Sequence, residues 1–512
     1  MNRGRNAAYN TAANLIAEIV AVASGFILPR LILGSFGSSY NGLIQSVAQF
    51  LEIVVLLRAG VGGVTRASLY RTLANKDEKQ LSATIRATEL FMRKVALIFA
   101  AFVVVFACAY PLVVSYDFEW FFSASLVLII SISTFVQYYF GITYYILLQA
   151  DQRQYISSIM IACTTVVNTL LTILLIRLGC GIHAVKLGTA AAYCITPVAL
   201  HIYAKRHYHI DKTVKPDYSS INQRWQALFH QLAGYIYSNT DIVLITFFMN
   251  LKEVSVYTTY RLVSNGLQKL MTTFESGVEA AFGDMIARDD KEVLTGNVRV
   301  FETLLHAAVC IVFGSALILI TPFVEVYTKG VNDVNYSRAL FGCLLIMTET
   351  VHFLRQPYHS IIEAAGHYKQ TKHIAIIQAA MNLGLSVILI NFFGLAGVIA
   401  GTLVSDAYCG IAYRAYVRKH LLQEIRITEY VRRIAVTMLT MLLIYGFSAL
   451  YPASGVNSYL TWIVYAIAVA AAAGVITVLT DLIFYRREMK ILLLKVRTIL
   501  SGIVSRKRAG GT

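Results

Sequence analysis

The stretch LANKDEKQL at residues 73–81 returns in altered form as IARDDKEVL at residues 286–294. Each is a charged clip between long apolar runs, and the two lie about 213 positions apart. Other stretches match at nearly the same distance. YYILLQADQRQY (144–155) lies against YHSIIEAAGHYK (358–369), Asn168 in VVNTLLTILLI falls on Asn382 in AMNLGLSVILI, and AAYC (191–194) falls on DAYC (406–409). One such match is weak, but a common spacing near 214 residues marks an internal repeat. The chain reads as two copies of one unit followed by an extension.

Composition says what the unit is made of. Of 512 residues, 57% are hydrophobic and 14% charged, where a soluble domain carries about 25% charged residues. Mean hydropathy is +0.62. A membrane-spanning helix takes about 20 mostly apolar residues. Such spans are read at about 8–33, 41–70, 88–114, 121–149, 155–177 and 182–204. A second set follows at about 225–249, 254–284, 299–326, 338–364, 373–393 and 395–417, with a last pair at about 430–451 and 458–485. The expected fold is an all-α polytopic membrane protein with about 14 transmembrane helices. It divides into an N-terminal six-helix bundle (1–210), a cytoplasmic linker (211–224), a second six-helix bundle (225–420), two extra helices (421–490) and a basic tail (491–512).

The net charge of +16 is not spread evenly. Lysines and arginines crowd alternate connections, among them Arg71, Lys76 and Lys79, then Lys205, Arg206, Lys212 and Lys215, then Arg414, Arg418, Lys419, Arg426, Arg432 and Arg433. The intervening connections, such as GSFGSSYNG and YPASGVNSY, are nearly uncharged. That alternation follows the positive-inside rule and predicts that both termini are cytoplasmic. It explains the basic balance without nucleic acid. The N-terminal apolar segment contains Glu18 and has no convincing small-residue cleavage site, so a retained first span is expected rather than a signal peptide. The seven scattered cysteines show no CxxC pair and no histidine at ligand spacing, so neither a disulfide framework nor a metal site is expected.

Six spans per unit is an even number, so both copies enter the membrane in the same direction. The repeats are then parallel, related by a pseudo-two-fold axis along the membrane normal, and such halves enclose a central cavity that opens alternately to either side. This points to a transporter. Polar residues at helical spacing identify the helices that would line the cavity. Span 1 carries Asn14 and Glu18, span 2 Gln49 and Glu52, and span 7 Asp241. Span 8 has the longest stripe, with Arg261, Asn265, Gln268 and Glu275, and span 10 adds Glu349, Gln356 and Glu363. Single amides of this kind often serve as glue between helices. Stripes of four or more on repeat-related helices favour a hydrated cavity. The cations Arg30, Arg58, Arg261 and Lys269 could hold an anion, since a guanidinium fork suits phosphate or carboxylate. Glu18, Glu52, Asp241 and Glu275 could pair with them or bind a coupling ion, H+ or Na+; no other cofactor is expected.

The stretch ILPRLILGSFGSSYNGLIQSVAQFLEIVVLLRAGVGGVTRASLYRTLANKD (27–77) resembles the start of polysaccharide flippases in the multidrug/oligosaccharidyl-lipid/polysaccharide exporter superfamily. There an arginine-bearing first helix leads to a glycine and a YG-like turn, here Gly37 and YNG, and a second helix ends in a glycine-rich basic exit. The resemblance implies an inner-membrane flippase. Its cargo would be an undecaprenyl-diphosphate-linked oligosaccharide, a repeat unit of O-antigen, capsule or exopolysaccharide. It implies membrane lipids, a glycan polymerase and export machinery as partners, a monomeric carrier, and no enzymatic chemistry. Related lipid II flippases use arginines of helices 1 and 8, which by position would be Arg30 and Arg261 here. Tyr138, Tyr145, Tyr237, Tyr257 and Tyr260 could offer stacking faces to sugar.

Four rivals stay open, one of them a non-transporting assembly scaffold, which would not explain the polar stripes. An ion-coupled multidrug exporter of the same superfamily would favour cavity carboxylates without arginines. A major facilitator carrier would show a G-x-x-x-D-R-x-G-R signature after helix 2, which GVGGVTRASLYRTLANKD lacks. A membrane glycan polymerase or ligase would need a large external loop bearing catalytic Arg or His, and the external connections here are short.

Overall fold

A computed structural model describes the backbone over residues 3–52, 55–221, 224–287, 291–424 and 426–492. Within these, the side chains at 3–4, 53–60, 220–233, 236, 238, 274, 276–284, 286–287 and 291–293 lie outside the description.

Hydrocarbon offers no partner to a backbone amide, so a spanning chain must bond to itself as helix or closed barrel. The described residues take the first route. The helices are α1 Arg3–Phe36, α2 Ser38–Leu51, α3 Val55–Asn75, α4 Glu78–Val113, α5 Trp120–Val136, α6 Ile142–Ala150, α7 Gln154–Arg177 and α8 Ile182–His207. They continue as α9 Arg224–Phe248, α10 Leu251–Ala287, α11 Lys291–Tyr327, α12 Ala339–Ala364, α13 Tyr368–Phe393, α14 Leu395–His420, α15 Ile427–Leu450 and α16 Tyr459–Phe484. The expected span 121–149 is not one uniform helix: a π turn, Gln137–Gly141, joins α5 to α6. Among the described residues, ten helical segments are long and apolar enough to cross a membrane. The expected spans outside those ten, 41–70, 225–249, 254–284 and 338–364, are four of those with polar stripes. Of these, 338–364 is described throughout, and there Glu349 and Arg355 dilute the hydropathy of the helix.

The chain divides into two compact units, residues 1–258 with 330–334, and residues 259–329 with 335–512. In the first, Val47, Leu51, Phe99, Tyr110, Tyr138 and Leu147 form part of a continuous apolar core. A ladder of polar pairs ties α2 to α9 and the start of α10. Asn41 Nδ2 donates to Ser255 Oγ at 2.8 Å, Ser46 and Thr246 share a hydroxyl contact at 2.8 Å, and Gln49 Nε2 donates to Asn239 Oδ1 at 2.7 Å. Gly42 permits this approach, because a Cβ there would fall 1.8 Å from the Leu251 carbonyl oxygen. Asp333, in the 330–334 segment, caps α2: the Ser38 amide and hydroxyl donate to its carboxylate at 2.7 and 2.6 Å. A carboxylate at a helix N-terminus meets the positive end of the helix dipole.

In the second unit α11 packs against α12, α15 and α16. Buried polar contacts fasten the two C-terminal helices to it. Glu302 on α11 receives Arg414 Nη1 at 2.9 Å and Arg433 Nη2 at 3.2 Å, with the Tyr358 hydroxyl donating to the same carboxylate. One turn along, His306 Nδ1 lies 2.9 Å from Asp481 Oδ1, both fully buried. Arg414 and Arg433, read from sequence as loop charges, are buried by these contacts.

The turns carry the repeat into three dimensions. After α6, Gln152 adopts φ 58°, its amide bonded to Gln149 O and that of Arg153 to Leu148 O. After α12, Gly366 adopts φ 71°, its amide bonded to Glu363 O and that of His367 to Ile362 O. Every partner is displaced by the same 214 residues. The left-handed region costs an L-residue about 1–2 kcal/mol, against roughly 0.5–1 kcal/mol of extra chain entropy for glycine. Gln152→Gly should therefore stabilise the protein by roughly 0.5–1 kcal/mol, and Gly366→Gln should destabilise it by a similar amount. Thermal melts of the detergent-solubilised variants measure both; a lower melting temperature for Gln152→Gly would contradict the assigned turn.

Candidate functional site

In the second unit the site is built on α10 and α12. Arg261 and Gln268 are seven residues apart on α10, two turns, and so share a face. Both reach Glu349 on α12. Arg261 Nη1 donates to Oε1 at 2.9 Å and Gln268 Nε2 to Oε2 at 2.6 Å, so each carboxylate oxygen has its own donor. Glu349 is 3% exposed while Arg261 is 27% exposed. The carboxylate thus sits behind the guanidinium, anchoring it in place. Asn265 and Lys269, one and two turns beyond Arg261 on α10, are exposed.

Further along, α12 enters a second network. Gln356 Nε2 and His352 Nε2 are 3.3 Å apart, and His352 Nδ1 is 3.0 Å from Arg355 Nη2. Arg355 is buried and spans to α13 and α14, reaching Gln378 Oε1 at 3.1 Å and Asp406 Oδ1 at 3.3 Å. Gln378 Nε2 closes the ring by donating to Asp406 at 2.7 Å. Glu275, half-buried on α10, lies within electrostatic reach of Arg355. Sequence reading missed Arg355, His352 and Asp406. Their signal was present: Asp406 stands in DAYC where the first copy has alanine, and Arg355 falls where the first copy has Gly141.

In the first unit the expected residues divide between packing and open surface. Asn14 accepts from Ser158 on α7, and Asn10 bonds the turn before α7 through both atoms of its amide. Asparagines of the first span therefore tie α1 to α7. Gln49 is held by Asn239, and Asp241 is buried, accepting from the Tyr257 hydroxyl at 2.7 Å. Glu18 is exposed on α1. Arg30 is half-buried on α1. Arg58 lies on α3 with its side chain outside the described residues. Glu52, at the end of α2, opens onto a cavity of about 370 Å³ that also holds Lys186 of α8, a residue the sequence reading passed over.

No protein-family model and no curated protein sequence matches the chain. Solved structures do. The lipid II flippase MurJ, in an inward closed conformation, superposes with a TM-score of 0.70 at 13% identity, covering 92% of this chain and 98% of its own. An inward-facing multidrug resistance MATE family transporter of the MOP superfamily gives 0.58 at 14% identity, covering 83% of this chain and 99% of its own. A MOP superfamily transporter from Pyrococcus furiosus, described as having a binding pocket of reverse polarity, gives 0.53 at 13% identity, covering 84% and 97%. The chain shares the fold of these structures. Its ten described helices long and apolar enough to cross a membrane make it a multi-pass membrane protein, and the structures it resembles are titled as transporters and a flippase.

The Arg261–Glu349 pair gives a direct test. Removing one partner of a buried pair costs about 3–5 kcal/mol, because the other charge stays buried. Arg261→Ala, which leaves the 3% exposed Glu349 without its cation, should lower stability by about 3 kcal/mol, and a cycle with Glu349→Ala should return a coupling of about 1–3 kcal/mol. A coupling near zero in detergent melts would mean that the pair is not held together in the folded protein.

Proposed function

We propose that the chain is a flippase for an undecaprenyl-diphosphate-linked oligosaccharide, moving a repeat unit of O-antigen, capsule or exopolysaccharide from the cytoplasmic to the outer leaflet of the bacterial inner membrane. The observation that carries this reading is coverage. The MATE transporter is almost wholly matched yet leaves about a sixth of this chain without a counterpart, roughly the share taken by 421–512. MurJ, titled a lipid II flippase, matches 92% of the chain at a higher TM-score. The flippase structure accounts for more of this chain than the exporter structure does, which favours the flippase reading.

The chemistry of the site supports the same class of cargo. A diphosphate crossing hydrocarbon needs a fixed cation, and Arg261 is a guanidinium held from behind by a buried carboxylate. A guanidinium presents a planar fork whose geometry suits phosphate bidentately. Lys269, two turns further along α10, offers a second cation on the same helix. The cycle is alternating access without covalent chemistry, driven by an ion gradient or by consumption of the flipped product. An ion-coupled multidrug exporter would use the same fold but has no need of Arg261.

In the native host, Arg261→Ala should abolish surface glycan even when export is normalised to the amount of inserted protein, which falls because Glu349 is left buried without its cation. Arg261→Lys should restore only part of the export, because an ammonium keeps the charge but loses the fork. Wild-type surface glycan from Arg261→Ala would remove this residue from the mechanism.

A further inference from the structure

The cavity of about 370 Å³ in the first unit has no part in the reading above, and its lining is selective. Among the residues facing it are Glu52 of α2, Thr134 of α5, Gln137 of the π turn, and Lys186, Thr189 and Tyr193 of α8. Two independent observations mark it as a built site. The first is Lys186 itself. It sits in a helix apolar enough to span a membrane, and among the described residues it has no hydrogen-bond or ion-pair partner. A charged side chain within a membrane segment faces protein or a wet cavity and ordinarily has a functional reason to be there. Glu52 lines the same space, yet the two do not form an ion pair.

The second is the backbone. The helix between α5 and α6 widens to a π turn at Gln137–Gly141, a distortion found preferentially at functional sites. The widened turn places Gln137 and Tyr138 in the cavity lining. It is also braced: a Cβ at Gly141 would lie 2.5 Å from the Pro197 Cβ, so the π turn rests directly on α8, the helix that bears Lys186. The wall holding the amide and the wall holding the ammonium are fixed to each other. In the second copy of the repeat, the position that corresponds to Lys186 by the AAYC/DAYC match is Gly401, packed hard against Ser386. The cavity cation belongs to the first unit alone.

The chemistry narrows the ligand. The volume lies at the small end of the roughly 300–1,000 Å³ typical of ligand sites, enough for a single sugar ring. An amide, hydroxyls and a phenol match sugar hydroxyls, and one ammonium matches one negative charge. The Glu52 carboxylate in the same space disfavours a multiply charged diphosphate while accepting hydrogen bonds from hydroxyls. We infer that this cavity is a monosaccharide subsite in which Lys186 selects a uronic-acid-type sugar of the cargo glycan by its carboxylate. This rests on the flippase reading for its place in transport, but not for the binding itself.

The test is saturation-transfer NMR on the full-length protein in nanodiscs, with glucuronate and glucose as probes and inorganic pyrophosphate as competitor. The wild type should bind glucuronate in preference to glucose; Lys186→Gln should lose about tenfold in glucuronate affinity, the value of a charge-assisted contact, and Lys186→Arg should retain most of it. Equal binding of glucuronate by wild type and Lys186→Gln would overturn the assignment. So would Lys186-dependent displacement of glucuronate by pyrophosphate at lower concentration than free glucuronate needs, which would make this a diphosphate site. The flippase reading fails separately: if no lipid-linked glycan accumulates on depletion while glucuronate still binds through Lys186, the subsite stands and the transport cargo must be sought elsewhere.

Discussion

In hydrocarbon a charge can be satisfied only by another protein group or by enclosed water, and that constraint organises this molecule. It explains why Glu349, only 3% exposed, is flanked by Arg261 on one oxygen and Gln268 on the other. It explains the closed ring of Arg355, Gln378 and Asp406, and the clustering of Arg414, Arg433 and Tyr358 about Glu302. Burial of ions gives little net stability when compared with apolar packing, because desolvation opposes the attraction. What it supplies is orientation. A guanidinium held by a buried carboxylate is presented in one geometry, which is the property a binding group needs.

The same constraint shows which parts of the account were legible in sequence. The apolar spans and the repeat were legible because the lipid solvent imposes length and because repeated turns keep their bonds: Gln152 and Gly366 close their helices with identical partners 214 residues apart. Arg261, Gln268 and Glu349 could each be read as polar positions on a helix face. That one carboxylate receives both of the others could not, since pairing between α10 and α12 depends on packing. The asparagines of α1 show the converse. Asn10 and Asn14 form a stripe by periodicity, yet their amides bond α7 and the turn before it, because a stripe records a face and not what that face meets.

Lys186 was missed for a physical reason as well. It is a lone charge in an otherwise apolar span, and periodicity rewards stripes, not solitary residues. Its significance comes from the π turn, which brings Gln137 and Tyr138 to the cavity that Lys186 lines and leaves no signature in hydropathy. The functional account therefore has two chemically distinct parts, one in each compact unit: a guanidinium anchored for phosphate, and an ammonium facing a cavity the size of one sugar.

The central claim is that the cargo is a lipid-linked glycan, and the most direct measurement is mass spectrometry of the lipids that accumulate when the protein is depleted in its native host, combined with a leaflet-accessibility probe. The account predicts build-up of an undecaprenyl-diphosphate oligosaccharide on the cytoplasmic leaflet. Absence of any such lipid, together with a rise in sensitivity to cationic drugs, would contradict it and favour an exporter built on the same fold.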